Sequence, residues 1–109
     1  MWKSSKITQL INDNFRKSFQ GGKVMLTRGV KALQKAEIAE ILLKVSRFND
    51  FNANNDPYGE HDFGSFAYHG KKILWKIDYY DKDYKFASEN PADVTKTNRV
   101  LTIMLAEEY

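Results

Sequence analysis

The sequence predicts an α+β fold: a single domain over residues 1–109, with about three helices packed on a short three-stranded antiparallel sheet in the order α-β-α-β-β-α. Two observations predict it. Apolar residues recur at helical spacing in the first half of the chain and near its end, whereas between residues 63 and 81 they alternate with period two. The length of 109 residues suits one domain, and 42% hydrophobic with 14% aromatic residues is enough to fill one core.

Each element follows from a local pattern. Residues 5–19, SKITQLINDNFRKSF, place Ile7, Leu10, Ile11, Phe15 and Phe19 at helical spacing, with Ser4 or Ser5 as N-cap and Gly21-Gly22 as a stop. KVMLT at 23–27 is short and β-leaning, and Gly29 breaks it. Residues 34–48 form the clearest helix, with Ile38, Ile41, Leu42, Val45 and Phe48 as one apolar stripe. A polar loop of about 15 residues follows, a length often associated with function in small domains. FGSFAYHGKKILWKIDYYD then reads as a hairpin. Phe66 and Tyr68 alternate on one arm, Ile73, Trp75, Ile77 and Tyr79 on the other, and HGKK supplies the turn. Leu74, Lys76, Asp78 and Tyr80 face the opposite side. Asn90-Pro91 favours a turn, and Asp93 or Thr95 is placed to cap a last helix over 96–108 carrying Val100, Leu101, Met104 and Leu105.

Composition narrows the function classes. There is no cysteine, which excludes disulfides and thiolate metal sites. No apolar run approaches the roughly 20 residues of a membrane span. The start, MWKSSKITQL, lacks a signal-peptide h-region, so a cytoplasmic location is expected and membrane association is not. Charge is asymmetric: residues 1–50 hold ten Lys/Arg against four Asp/Glu, a net +6, and residues 51–109 hold seven against ten, a net −3. A basic face of Lys3, Lys6, Arg16 and Lys17 is the candidate for contact with a nucleic-acid backbone. Most of the aromatic residues lie in the acidic half, apart from the bulk of the cations, which argues against a single-strand stacking groove.

The stretches LINDNFRKSF, GGKVMLTRGV, FNANNDPYGEHDFGSF, WKIDYYD and TNRVLTIMLAEEY resemble a small bacterial family catalogued as a domain of unknown function, 3768 in that series. The resemblance runs from about Leu10 to Tyr109. It implies no established activity. Its members' setting near plasmid or prophage genes implies an accessory role by association.

The loop FNANNDPYGEHDFGSF is the most distinctive stretch. Asn52, Asn54 and Asp56 have the opening spacing of a calcium loop, but Pro57 and Phe63 stand where Gly and Glu are required, so no metal site and no cofactor is expected. Glu60, His61, Asp62 and Asp78 are the candidate catalytic groups of an acid/base or metal-dependent hydrolase, with Tyr79, Tyr80 and Arg99 placed to stabilise an anion. A structural reading also accounts for the loop: Asn and Asp tie turns, Pro57, Gly59 and Gly64 set backbone angles, Asp62 pairs with Arg99 or backbone amides, and Phe51, Phe63 and Phe66 anchor the ends. The favoured function is a small non-enzymatic binding protein, carried by mobile elements, that docks on a protein complex. Its sharper form is a counter-defence inhibitor of the anti-CRISPR kind. The expected docking residues are Asp56, Tyr58, Glu60, His61, Asp62, Asp78, Tyr80 and Asp81. The hydrolase is the first alternative and the nucleic-acid backbone binder the second.

Overall fold

A computed structural model describes residues 2–109, with side chains from Ser4 onward. The chain forms α1 (Trp2–Ser18), β1 (Lys23–Leu26), the single turn α2 (Arg28–Lys31), α3 (Lys35–Ser46), β2 (Phe63–Tyr68), β3 (Lys71–Tyr80) and β4 (Asn98–Leu105), and ends in a 3-10 turn (Ala106–Glu108). The fold is α+β in one compact domain with three α-helices. The sheet has four strands, not three, in the order β1-β4-β3-β2. It is mixed: β1 runs parallel to β4, and the other neighbours are antiparallel.

The largest correction concerns the end of the chain. The segment expected to be a helix over 96–108 is β4, which sits between β1 and β3. Its side chains alternate with period two. Arg99, Leu101 and Ile103 are buried, and Arg99 holds an inward position that an apolar residue would normally occupy. A polar residue at that inward position masks the alternation in the sequence and leaves Val100, Leu101, Met104 and Leu105 to imitate a helical stripe. Asp93 caps no helix: it accepts the backbone N–H of Thr95 at 2.9 Å and its hydroxyl at 2.6 Å, tying the turn before β4.

The hairpin forms as expected. The turn residues His69 and Gly70 both have positive φ, 47° and 80°, as a type I′ turn requires. Ile73, Trp75 and Ile77 join Leu101, Ile103, Phe15, Val30, Ile41 and Val45 in one buried cluster to which all three helices contribute. All three helices therefore cover the same face of the sheet. On the other face, among the described residues, only Leu74 and Met104, neighbours across β3 and β4, are buried.

The first helix is rotated relative to its expected apolar stripe. It begins at Trp2, so Ser4 and Ser5 lie within its first turns rather than capping it. Phe15 is buried, but Ile7 and Leu10 are 46% and 54% exposed. The inward positions are instead Thr8, Asn12 and Arg16, one turn apart, all buried. Burying such groups is tolerated only where their hydrogen bonds are met.

Candidate functional site

The loop from Asn49 to Asp62 begins with turns tied by its own side chains. Asn52 Oδ1 accepts the amides of Asn54 and Asn55 at 2.9 and 3.3 Å, and Asn55 Oδ1 accepts that of Asn52 at 2.9 Å. Asp56 Oδ1 then accepts the amides of Glu60 and His61 at 2.9 and 3.0 Å. These are the local Asx bonds that Asn and Asp favour. Helix α1 clamps the same segment from outside: Gln9 Nε2 donates to the Gly59 carbonyl at 2.8 Å and Asn12 Nδ2 to that of Glu60 at 3.0 Å.

Two polar clusters form where the loop meets α1 and the sheet. In the first, His61 Nδ1 lies 2.9 Å from Asp13 Oδ1, and its Nε2 lies 3.6 Å from Asp56. The imidazole stacks on Phe51 with ring centroids 3.8 Å apart. Asp13 also accepts Arg16 at 2.9 Å. Arg16 is 1% exposed, donates to the carbonyls of Val45 and Phe48 at 3.0 and 2.8 Å, and lies over the rings of Phe51 and Trp75. Burial holds its guanidinium below the usual range, with Asp13 opposing that shift.

The second cluster centres on the Tyr79 hydroxyl. It receives Asn12 Nδ2 at 2.8 Å and lies 3.1 Å from Glu60 Oε1 and 3.3 Å from Asp62 Oδ2. Arg99 Nε donates to Asn12 Oδ1 at 2.7 Å, its guanidinium reaches the Pro91 carbonyl and it lies over the Tyr79 ring. Arg99 is thus held by Asn12 and Pro91 rather than paired with Asp62. A phenol has one proton, so Tyr79 donates to only one of the two carboxyls at a time. The other faces an oxygen lone pair, which favours its neutral acid form. Burial raises both carboxyls above their ordinary range, and their mutual proximity adds to the rise in Glu60. Burial, then the negative charge of Asp62, raises the Tyr79 phenol as well.

The candidate catalytic residues do not converge. Glu60, His61 and Asp62 lie on the helix-covered side, whereas Asp78 projects from the opposite face of β3 and pairs with Lys76 at 2.9 Å. The same alternation places Tyr80 with Asp78, so the expected docking residues are divided between two faces. Asp81 accepts the amides of Asp83 and Lys85, which tie the turn after β3. Asp56 is turned inward on its two amides, leaving Tyr58 as the large side chain that the loop presents to solvent, 79% exposed. Of the candidate basic face, Arg16 is internal, Lys6 and Lys17 are exposed, and the Lys3 side chain lies outside the described residues. Among the described residues, no three His, Cys, Asp or Glu side chains are grouped as a metal site, and no helix is long and apolar enough to cross a membrane.

Sequence reasoning missed Asn12 and Asp13, the two α1 residues on which the clusters turn. A signal for Asn12 was present: Tyr79 shares the inward register of Ile73, Trp75 and Ile77, so its hydroxyl had to find a buried partner.

Fold and site together define a small α+β domain built around a clamped acidic loop. The chain belongs to the family described as Protein of unknown function (DUF3768), whose model matches residues 26–108. The match begins at Leu26, later than the Leu10 at which the resemblance was expected to begin, so α1 lies outside it. No curated protein and no solved structure matches the chain.

Proposed function

We propose that the chain is a small non-enzymatic binding protein that docks on a protein complex through the outward side of the 52–62 loop and the adjoining face of α1. The observation that carries this reading is Tyr58. It stands exposed on a segment whose amides and carboxylates are already engaged inward. An aromatic anchor on a pre-ordered loop loses little entropy on binding, the usual character of an interface hot spot. The surface continues onto α1 through Lys6, which bonds Gln9, which bonds the Gly59 carbonyl. Exposed Ile7 and Leu10 lie alongside, with Lys6 and Lys17 at the rim, an arrangement suited to an apolar partner surface with acidic edges.

The hydrolase reading has less support, because Asp78 is across the sheet from the other three groups and both nitrogens of His61 face aspartates. The sharper form, a counter-defence inhibitor acting in the cytoplasm, rests on chain size and the expected family setting, and the identity of the captured partner tests it. The experiment is affinity capture from host lysate with the wild type, Tyr58→Ala, Leu10→Ala and Asp78→Ala. Loss of one specific partner with the first two variants and its retention with the third supports the reading. Equal capture by all four proteins contradicts it.

A further inference from the structure

The outer edge of β2 carries an inference independent of Tyr58. In a hairpin closed by two residues, the closing pair, here Tyr68 and Lys71, exchanges both backbone hydrogen bonds, and alternate pairs do so along the ladder. The bonded pairs are then Phe66 with Ile73 and Gly64 with Trp75, and the same register extended by one step brings Asp62 opposite Ile77. The Ile77 amide donates to the Asp62 carbonyl at 2.8 Å, as this register requires. Phe63, Ser65 and Ala67 therefore turn their N–H and C=O groups outward. Among the described residues no other part of the chain bonds these groups. Natural edge strands are usually protected by lysine, proline, a bulge or shortness. Phe63–Tyr68 contains no proline and no charged residue, whereas the other edge, β1, has only four residues and begins with lysine.

We infer that the β2 edge is a self-association surface, occupied by β2 of a second copy running antiparallel about a two-fold axis at Ser65. The occupant is argued from side-chain size in that register. Phe63 falls opposite Ala67 of the second copy, Phe66 opposite Gly64, and the two Ser65 residues meet on the axis. Every phenylalanine faces a small residue. The groove beside the edge agrees. It has a volume of about 470 Å³ and is lined by Glu40, Leu43, Lys44, Arg47, Phe48 and Phe66. Tyr68 donates to Glu40 at 3.1 Å, and a Cβ on Gly64 would lie 2.8 Å from the Phe48 ring, so α3 runs alongside β2 in the opposite direction. The two-fold axis therefore turns the acidic Glu40 end of one groove toward the basic Arg47 end of the other. The product is a continuous eight-stranded sheet in which exposed Leu43 of each copy gains an apolar neighbour.

Sedimentation equilibrium from about 1 μM to about 1 mM tests the association itself. The expected mass is twice the 12.7 kDa of one chain, and Ser65→Pro returns it to a single chain. Proline removes an outward N–H and is tolerated at sheet edges. The second arm does not depend on that variant folding. The chain has no cysteine, so Ser65→Cys supplies one thiol. A bonded antiparallel pair sets Cα atoms about 5.5 Å apart, within disulfide reach, so mild oxidation links two copies. Two Ala67→Cys residues stand four positions apart along the strands, roughly 13 Å, and remain unlinked. A wild type that stays single at every concentration overturns the inference. So do a dimer that Ser65→Pro leaves intact, or linking by Ala67→Cys in preference to Ser65→Cys. A monomer whose β2 amides are shifted by a synthetic peptide of alternating valine and aspartate would assign the edge to a foreign strand and also overturn it.

Discussion

Replacing Tyr79 by Phe keeps the ring beneath Arg99 and removes only the hydroxyl shared by Asn12, Glu60 and Asp62. Asn12 retains the Glu60 carbonyl and Arg99, so the loss falls on the two carboxyls. A hydrogen bond to a charged group contributes roughly 1.5–3 kcal/mol. Water reaches these half-buried groups and recovers part of that, which leaves about 2 kcal/mol. At about 2.1 cal/mol/K per residue, the unfolding entropy of 109 residues is about 0.23 kcal/mol/K, so the melting temperature should fall by roughly 9 °C. Thermal melts followed by circular dichroism read this directly, and the amides of Glu60 and His61 should exchange with solvent sooner. A melting point within about 2 °C of the wild type would refute the assignment of Tyr79 as the link between loop and sheet.

The raised carboxyls give a pH dependence of definite sign. Between the ordinary values of 4.5 for Glu60 and 3.8 for Asp62 and their raised folded values, the folded chain holds protons that the unfolded chain has released. This contribution to stability therefore grows as pH falls through the raised values and levels off at the ordinary ones. Urea denaturation across that range should show the slope in the wild type and a flatter profile in Asp62→Asn; identical profiles would contradict the shared-proton geometry. Arg16→Ala leaves the carbonyls of Val45 and Phe48 without their donor and should cost about 3 kcal/mol or more, by the same measurement. The cost of Asp13→Asn should be smaller and not additive with it, since the two side chains share one cluster. Gly64→Ala drives a Cβ to 2.6 Å from Trp75 Nε1 and 2.8 Å from the Phe48 ring, which should cost about 1–3 kcal/mol and shift tryptophan emission. Tyr58→Ala, by contrast, should leave stability within about 0.5 kcal/mol of the wild type.

What could be read from the sequence divides along a physical line. The α3 stripe and the β2–β3 hairpin are local patterns of apolar side chains, and both formed where the spacing placed them. The turns of the loop were legible for the same reason, since an Asx turn is written within a few residues. The polar core was not. Arg99 and Asn12 are 87 positions apart, and each looks like a surface residue until the other is beside it. That pairing explains both large errors: β4 lost its alternation because Arg99 is inward, and α1 was assigned the wrong inward face because Asn12 and Arg16 are buried while Ile7 and Leu10 are not. The parallel placement of β1 against β4 is a non-local choice that four residues of KVML do not encode.

The central claim is that residues 52–61 present a fixed shape, held by Asn52, Asn55 and Asp56 from within and by Gln9, Asn12 and Asp13 from α1. Backbone ¹⁵N relaxation measures this most directly. Order parameters near the rigid value of about 0.85 are expected throughout the loop, indistinguishable from β3. Values below about 0.6 between Asn52 and Gly59 would contradict it.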